Sequence, residues 1–197
     1  LPGTRRYADH AVKSLTKYFT DPVNGGMWYQ IKDEPDEEGH GVPWDEASRV
    51  KSQYHTVYAL LGVAAATVAN RPGAHELLET MLQEQKDYWI DDYGLVWDQY
   101  DEAFSEPAPV HALGTLIHTI EAYMAAAEAT TEPEWLDRAE KMTAFAHKVA
   151  SKNNWRIPEY YDEEWQPSLE AGKLCNDGRR YHEGYVTGHS MQLARFA

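Results

Sequence analysis

Two histidines in this sequence have neighbours that are suited to proton transfer. His189 follows Gly188 at a point where a helix is expected to begin. The helix dipole disfavours imidazolium there and favours the neutral imidazole that a general base must be. His118 precedes Glu121 by about one helical turn, so these two side chains can meet on one helix face. The pattern indicates acid–base chemistry. A histidine that satisfies a loop carbonyl and a helix surface with incidental charge are the alternatives.

A segment rich in aromatic and polar residues lies between the two histidines. It runs Asn154-Trp155-Arg156-Ile157-Pro158-Glu159 and continues to Asp162 and Trp165. Its alternation predicts a short strand over 154–162, with Trp155 on one face and Arg156 on the other. Sugar C–H faces stack on aromatic rings and sugar hydroxyls bond to polar side chains, so the segment favours a carbohydrate site. An aromatic hairpin with a structural Arg–Asp pair is the alternative.

These candidates must be positioned mainly by helices. Apolar residues at helical spacing predict helices over 5–20, 45–69, 74–90, 109–129 and 132–151, and a last one from about residue 187. Thr131 is the expected N-cap of the fifth helix, and Pro133 fits its first turn. In the fourth helix, His118 falls away from the apolar stripe, on a face of small residues that leaves room for a ligand.

Two connectors resemble each other at a separation of about 70 residues. Tyr18-Phe19-Thr20-Asp21 with Gly25 is echoed by Tyr88-Trp89-Ile90-Asp91 with Gly94. The echo predicts a repeated helical pair and therefore an α/α toroid. Residues 34–44 are acidic, with proline and glycine, and residues 170–184 are also loop-like. The first of these two segments is expected to form a surface loop or lid.

Composition excludes several classes of protein. The net charge of −14 argues against a nucleic-acid or anionic-membrane partner. The single cysteine, Cys175, excludes an internal disulfide framework and a cysteine-rich zinc site. Neither a bilayer-spanning run nor a signal-peptide pattern is present, so the cytoplasm is the expected compartment. No nucleotide, hydrolase or zinc-protease motif appears. His118 and Glu121, even with His147 and His182, lack a specific metal-ligand spacing, so neither metal nor cofactor is expected.

The ordered motifs resemble the N-acylglucosamine 2-epimerase superfamily over nearly the whole chain, with the Asn-Trp-Arg run most similar to its mannose isomerase branch. They are Asp21-x-x-x-Gly25-Gly26-x-Trp28, Lys51-x-x-Tyr54, His118-x-x-Glu121-Ala122, Asn154 to Pro167, and Gly188-His189. The resemblance implies an all-α fold, an (α/α)6 barrel with short aromatic β-hairpins, of which this chain holds about half of the helices. It implies one barrel domain over residues 1–197, truncated at both ends. Such a half-barrel is expected to expose apolar surface, to self-associate, or to be part of a longer product.

The resemblance also implies roles for individual residues. His189 matches a histidine that moves a proton at C2 of a reducing sugar through an ene-diol, with a second histidine beyond Ala197. His118 matches a histidine near the sugar C1, and Tyr54 matches a substrate-contacting tyrosine. Glu121 and Arg156 are expected to position hydroxyls, and Trp155 or Trp165 to shape the wall. Where the family usually has a glutamate that orients the Gly-His histidine, this chain has Gln192, which hydrogen-bonds without supplying charge.

The sequence therefore predicts a sugar isomerase or epimerase that favours aldose–ketose isomerisation of the mannose type, without cofactor or metal. Its partner is a small sugar, with a homo-oligomer as a candidate assembly. An N-acylglucosamine or cellobiose 2-epimerase is the near alternative. An inverting glycoside hydrolase on the same barrel would need two carboxylates from Asp98, Asp101, Glu121 and Glu159. A non-catalytic sugar-binding protein is the third alternative.

Overall fold

The computed structural model describes residues 3–174 and 184–196, which leaves Cys175 and His182 outside the described residues. Within those ranges the chain is mainly helical. The helices are α1 (Arg5–Ser14), α2 (Gln53–Val68), α3 (Ala74–Glu84), α4 (Leu113–Thr130), α5 (Pro133–Lys152), α6 (Leu169–Gly172) and α7 (Thr187–Leu193). The strands, each two residues long, are β1 (Lys51–Ser52), β2 (Gln99–Tyr100), β3 (His111–Ala112) and β4 (Tyr160–Tyr161).

The helices form an inner and an outer layer. In the inner layer α2 and α4 lie side by side and α7 packs on α4, while α1 and α3 pack on α2 and α5 packs on α4. The inner helix α4 is apolar on most of its circumference and is buried along most of its length. The outer helix α5 instead buries one stripe at helical spacing, which is typical of a helix that covers a core from outside. This stripe consists of Trp135, Ala139, Met142, Ala146 and Ala150.

The connections alternate in length, and the long ones meet at one end of the inner helices. Residues 69–73 and 131–132 are short turns, whereas residues 15–52 and 85–112 are long connectors, and the described residues 153–174 and 184–186 belong to a third. The long connectors carry the strands, and they pair antiparallel with each other. Lys51 faces Tyr100 in the β1–β2 pair and His111 faces Tyr161 in the β3–β4 pair. Since α2 and α4 begin directly after β1 and β3, these pairs fix where the inner helices start.

The repeat expected from the sequence is confirmed in the first two long connectors. A five-residue π-helical turn follows α1 at Leu15–Phe19 and α3 at Gln85–Trp89. An aspartate then closes a tight turn, Asp21 in one connector and Asp91 in the other. The Oδ1 atom of each aspartate accepts two backbone N–H bonds, at 2.8 to 3.2 Å. Isolated bridges close the two hairpins, Thr20 with Met27 and Ile90 with Val96.

The second oxygen of each aspartate binds a residue outside its own turn. Asp21 Oδ2 accepts a 2.8 Å hydrogen bond from the fully buried Lys51 ammonium, beside β2. Asp91 Oδ2 accepts a 2.7 Å bond from the Trp165 indole. Burial lowers the pKa of Lys51, while its hydrogen bond to Asp21 opposes that shift. Burial would raise the pKa of Asp21, but the bonds from Lys51, Val23 and Asn24 bring it below its ordinary value.

A second sequence similarity relates the connector after α3 to the connector after α5. Tyr100-Asp101-x-x-Phe104 resembles Tyr161-Asp162-x-x-Trp165, and the two tyrosines bridge to Pro107 and Pro167. Phe104 and Trp165 both have positive φ, 56° and 59°, a conformation that bulky residues rarely adopt. Each ring is turned inward: Phe104 packs on Trp89, and Trp165 stacks on His111 with a centroid distance of 4.0 Å.

Several predicted boundaries differ from the structure. The helices expected over 45–69 and 109–129 begin later, at Gln53 and Leu113, because β1 and β3 occupy the preceding residues. Thr131 is not an N-cap: it ends α4 in a left-handed conformation, and Glu132 precedes α5. The expected strand over 154–162 is limited to Tyr160–Tyr161, since Asn154 and Trp155 adopt positive φ. Pro133 does open α5, as predicted.

Residues 34–44 form an exposed loop, closed at its base by a bridge between Ile31 and Pro43. Inside it, Asp36 Oδ1 accepts backbone N–H bonds from Glu38 and His40. In the part of the chain that the structure describes, no helix combines the length and the apolar character needed to cross a membrane.

Two buried tyrosines give a matched test of this core. We expect Tyr123→Phe to lower the free energy of unfolding by about 1–2 kcal/mol, because its hydroxyl donates to Gln85 Oε1 at 2.9 Å. Tyr161→Phe should change it by less than about 0.5 kcal/mol. The Tyr161 hydroxyl is buried and has no hydrogen-bond partner among residues 3–174 and 184–196. Urea unfolding at neutral pH measures both, and equal losses would contradict this assignment.

Because these two hydroxyls are buried, we expect the folded protein to lose stability at alkaline pH. Burial raises the pKa of Tyr123 and Tyr161 above the ordinary value near 10. The unfolded chain therefore releases these protons first, so stability is retained below about pH 10 and falls as the pH rises further. Tyr161→Phe should make the decline shallower. An unchanged slope in unfolding experiments between pH 9 and 11 would contradict the prediction.

Candidate functional site

Gly114, in the first turn of α4, allows two side chains to approach the helix backbone closely. A Cβ atom at this position would lie 3.3 Å from Cε1 and 3.6 Å from Nε2 of His189. It would also lie 3.7 Å from Cε2 of Tyr54. The imidazole from α7 and the phenol from α2 therefore meet over the start of α4. This point is the centre of the candidate site.

His189 is held by a buried carboxylate. Its Nδ1 lies 2.6 Å from Oε2 of Glu159, whose side chain is nearly inaccessible to solvent. The second oxygen, Oε1, accepts the backbone N–H of Val186 at 3.0 Å. Glu159 was considered in the sequence only as one of several carboxylates for a hydrolase. Its pairing with His189 spans 30 residues and follows no local spacing.

A second imidazole lies one turn deeper, beside two tyrosines. His118 is 7% exposed, and its ring lies edge-on to Tyr54 with a centroid distance of 5.5 Å. Tyr58 places its hydroxyl 2.8 Å from His118 Nε2. Since Tyr54 and Gly114 meet, and Tyr58 and His118 meet four residues further along each helix, α2 and α4 run in the same direction here.

The protonation of this second group follows from its partners. Burial, followed by the hydrogen bond with Tyr54, raises the pKa of Tyr58 well above its ordinary value, so the hydroxyl remains a phenol. A phenol can donate or accept, but a carboxylate only accepts, so the Glu121 carboxylate beside His118 Nδ1 places the imidazole proton there and makes Nε2 the acceptor for Tyr58. Nδ1 faces Glu121 Oε2 at 3.4 Å. Tyr58 was not singled out in the sequence, although its position one turn after Tyr54 was a usable signal.

Glu121 also connects this group to the end of α7. Its Oε1 accepts a hydrogen bond from Arg195 Nη2 at 3.0 Å. Residues at both ends of α7 therefore bind a carboxylate: Val186, just before the helix, binds Glu159, and Arg195, just after it, binds Glu121. Both carboxylates also contact an imidazole, so the two histidine groups are connected through α7.

The structure brings His189, Tyr54, His118 and Glu121 together, keeps Gln192 on the helix of His189, and places Trp155, Arg156 and Trp165 elsewhere. Gln192 lies one turn after His189 on α7 and is half-buried. Trp165 is 5% exposed and belongs to the core between connectors. Its ring stacks on His111, and its indole N–H donates a hydrogen bond to Asp91.

Trp155 and Arg156 are at the outer surface of the third connector. Trp155 is 66% exposed and its ring lies edge-on to His147 at 5.3 Å. The Arg156 guanidinium lies over the Tyr185 ring, 5.5 Å from its centroid. Trp155 also borders an open apolar groove of about 780 Å³ between α5 and α7, which Met124, Leu136, Leu193 and Phe196 help to line.

Among residues 3–174 and 184–196, no group of three or more His, Cys, Asp or Glu side chains is arranged to hold a metal ion. His147 packs against Trp155, away from His118, and His182 lies outside the described residues. The described cluster instead consists of two imidazoles, each beside a carboxylate, with the Tyr54 ring close to both and the Tyr58 hydroxyl on His118. Such groups can accept, donate and relay protons at a bound hydroxyl or carbon acid.

Comparisons with known proteins identify the family and the fold of this chain. A family model described as N-acylglucosamine 2-epimerase (GlcNAc 2-epimerase) matches residues 1–196. D-mannose isomerase of Thermobifida fusca is 32% identical over 99% of this chain and 46% of its own length. D-mannose isomerase of Pseudomonas cannabina pv. alisalensis is 28% identical over 99% of this chain and 45% of its own. The chain thus spans a little under half the length of these relatives.

Solved structures show the same architecture. A crystal structure of D-mannose isomerase superposes with a TM-score of 0.75 and 21% identity, covering 94% of this chain and 45% of that one. Cellobiose 2-epimerase from Spirochaeta thermophila DSM 6192 gives 0.64 and 21%, covering 87% and 44%. These likenesses confirm the expected fold class: an all-α chain that forms about half of an (α/α)6 barrel, with short aromatic hairpins.

The close approach at Gly114 can be tested without knowledge of the ligand. We expect Gly114→Ala to shift the NMR signals of His189 and Tyr54, because the new methyl group meets both rings. Gly62→Ala in α2 is the matched control, since a Cβ there meets nothing within 4 Å. It should raise the free energy of unfolding by up to about 1 kcal/mol and leave the two rings unshifted. Unshifted His189 and Tyr54 signals in Gly114→Ala would contradict the described cluster.

Proposed function

The chain belongs to the N-acylglucosamine 2-epimerase family, and on this premise we propose that the protein isomerises a reducing sugar by moving a proton at C2. The observation that carries the proposal is the meeting of His189, Tyr54 and His118 around Gly114. One imidazole can then serve as a base at C2 while the other binds the sugar nearby.

His189 is the proposed base at C2. With Nδ1 directed at Glu159, its Nε2 edge lies over the start of α4 beside Tyr54. In an open-chain aldose, the base takes the C2 proton while O1 gains one, which forms an ene-diol. Loss of the O2 proton and return of a proton to C1 then give the ketose. The substrate provides both the oxidised and the reduced carbon, so no external oxidant or reductant takes part.

His118 is proposed to bind O1 and to assist ring opening. Its Nε2 holds the Tyr58 hydroxyl at 2.8 Å, which is the kind of contact a sugar hydroxyl would make. Tyr54 lies between the two imidazoles and would contact the sugar, and Glu121 would keep the His118 ring in place. Gln192, one turn from His189, would contact a hydroxyl from the same side. The proposal assigns no sugar contact to Trp155, Arg156 or Trp165.

The two named relatives, at 32% and 28% identity, are both D-mannose isomerases, and this favours mannose as the aldose and proton return to C1. Return of the proton to the opposite face of C2 would instead give an epimer. We further propose that residues 1–197 belong to one α/α-barrel domain whose other helices supply the second base. The share of the relatives' length that the chain spans supports this.

A solvent-isotope experiment on the complete protein tests the function. Incubated with mannose in D₂O, the protein should yield ketose that carries deuterium at C1. His189→Asn should slow this by about 100-fold or more, since the group that moves the proton is gone. His75→Asn is the control, because His75 is an exposed histidine on the outer helix α3.

Deuterium at C2 of recovered aldose, without ketose, would favour epimerisation over isomerisation. No deuterium in any tested aldose or ketose would overturn the proposal. Release of reducing ends from an oligosaccharide would support the glycoside hydrolase instead.

A further inference from the structure

We infer that Glu159 is the positioning residue of His189: it fixes the ring's tautomer and holds the Nε2 edge over Gly114. The inference rests on the proposed function, in which His189 is the base. It concerns a residue that acts through another and does not itself touch the sugar.

The side chain of Glu159 is engaged through both oxygens. Oε2 lies 2.6 Å from His189 Nδ1, and Oε1 accepts the Val186 N–H at 3.0 Å. A carboxylate only accepts hydrogen bonds, so a bond this short to Nδ1 requires the imidazole proton there. The neutral ring then has its lone pair on Nε2, the atom that faces Gly114 and Tyr54. Nε2 is thereby defined as the basic atom.

The backbone of Glu159 fixes the position of this carboxylate. Its carbonyl accepts the N–H of Leu113, the first residue of α4, at 2.8 Å. Its N–H donates to the Gly184 carbonyl at 3.2 Å. Directly after Glu159, β4 pairs with β3, which leads into α4. One residue therefore holds the start of α4, the segment before α7 and the His189 ring in a common arrangement.

A buried carboxylate in this position also stabilises the imidazolium that forms when His189 takes the C2 proton. The charge pair is shielded from solvent because Glu159 is 3% exposed. In such surroundings an ionic hydrogen bond is stronger than in water. Gln192 follows His189 by one turn, but its amide carries no charge to complement imidazolium. Glu159 supplies that charge from a different element.

The first test is a direct measurement of the tautomer in the wild-type complete protein. With ¹⁵N-labelled histidine, long-range ¹H–¹⁵N spectra distinguish a protonated from an unprotonated ring nitrogen, and His189→Asn identifies the His189 signals. We expect neutral His189 to carry its proton on Nδ1. A proton on Nε2 would overturn the inference. This measurement requires no variant of Glu159 and no substrate.

The second test is Glu159→Gln, for which the structure predicts a reversed tautomer. The amide oxygen is needed as the acceptor for Val186 N–H, so the amide NH₂ group faces His189 Nδ1. Nδ1 must then accept, and the ring proton moves to Nε2, which removes the basic lone pair from the substrate side. We expect kcat for proton transfer to fall about 100-fold or more, with KM within about threefold. Glu164→Gln, an exposed carboxylate of the same connector, should change neither.

The outcomes separate this inference from the proposed function. Unchanged tautomer in Glu159→Gln, or loss of activity that appears in KM alone, would overturn the role of Glu159. If the wild type exchanges no deuterium with any sugar, the proposed function fails. The tautomer of His189 and its reversal then still report whether Glu159 sets the ring.

Discussion

The arrangement of the structure depends on buried aspartates that hydrogen-bond in two directions at once. Asp21 and Asp91 each close a turn with one oxygen and bind a residue outside that turn with the other. For Asp21 this is Lys51, at the end of the same connector, and for Asp91 it is Trp165 of the next long connector. A buried carboxylate without hydrogen-bond donors would strongly destabilise the fold, so both oxygens of each aspartate need their donors. The bond from Trp165 to Asp91 joins two connectors, and its residues are 74 apart in sequence. Because α2 and α4 start from the connectors that carry Asp21 and Asp91, these bonds help to fix where the two helices present their first turns.

The candidate site lies at that end of the inner helices. Tyr54 and Gly114 are in first turns, and His189 is near the start of α7. The bond from Trp165 to Asp91 holds the hairpin after β4, and Glu159 directly precedes β4. The position of the His189 carboxylate is therefore linked to a turn aspartate through the connectors. At the opposite end, two short turns join the helices and carry no part of the cluster.

Local features of the sequence predicted local features of the structure. The repeat around Asp21 and Asp91 was visible because an aspartate turn with glycine is defined within a few residues. The helix interiors were also predictable from their apolar spacing, whereas the starts of α2 and α4 were not. Those starts depend on strand pairing between residues about 50 apart, which no local pattern records. Burial of an aromatic residue is likewise a property of the assembled fold: Trp165 could equally have lined a sugar site.

The same distinction applies to the two histidines. The pair His118 and Glu121 could be predicted, since their spacing places them on one helix face. The partner of His189 could not, because Glu159 reaches it from another connector, whereas local spacing pointed to Gln192. The family's orienting glutamate and Glu159 differ in sequence position but offer the same chemical group to the ring. In the role inferred for it, Glu159 provides that group from a connector instead of from α7.

In the proposed function, the hydrogen bond between Tyr58 and His118 makes sugar binding at Nε2 an exchange instead of a simple addition. A sugar hydroxyl that binds Nε2 displaces a phenol that is already there, so little free energy is gained from this contact itself. A sugar that displaces Tyr58 but lacks that hydroxyl would leave Nε2 without this hydrogen bond, at a cost of about 1–3 kcal/mol. The exchange therefore discriminates against deoxygenated analogues more than it strengthens binding of the complete sugar, and it keeps the empty site hydrogen-bonded between turnovers.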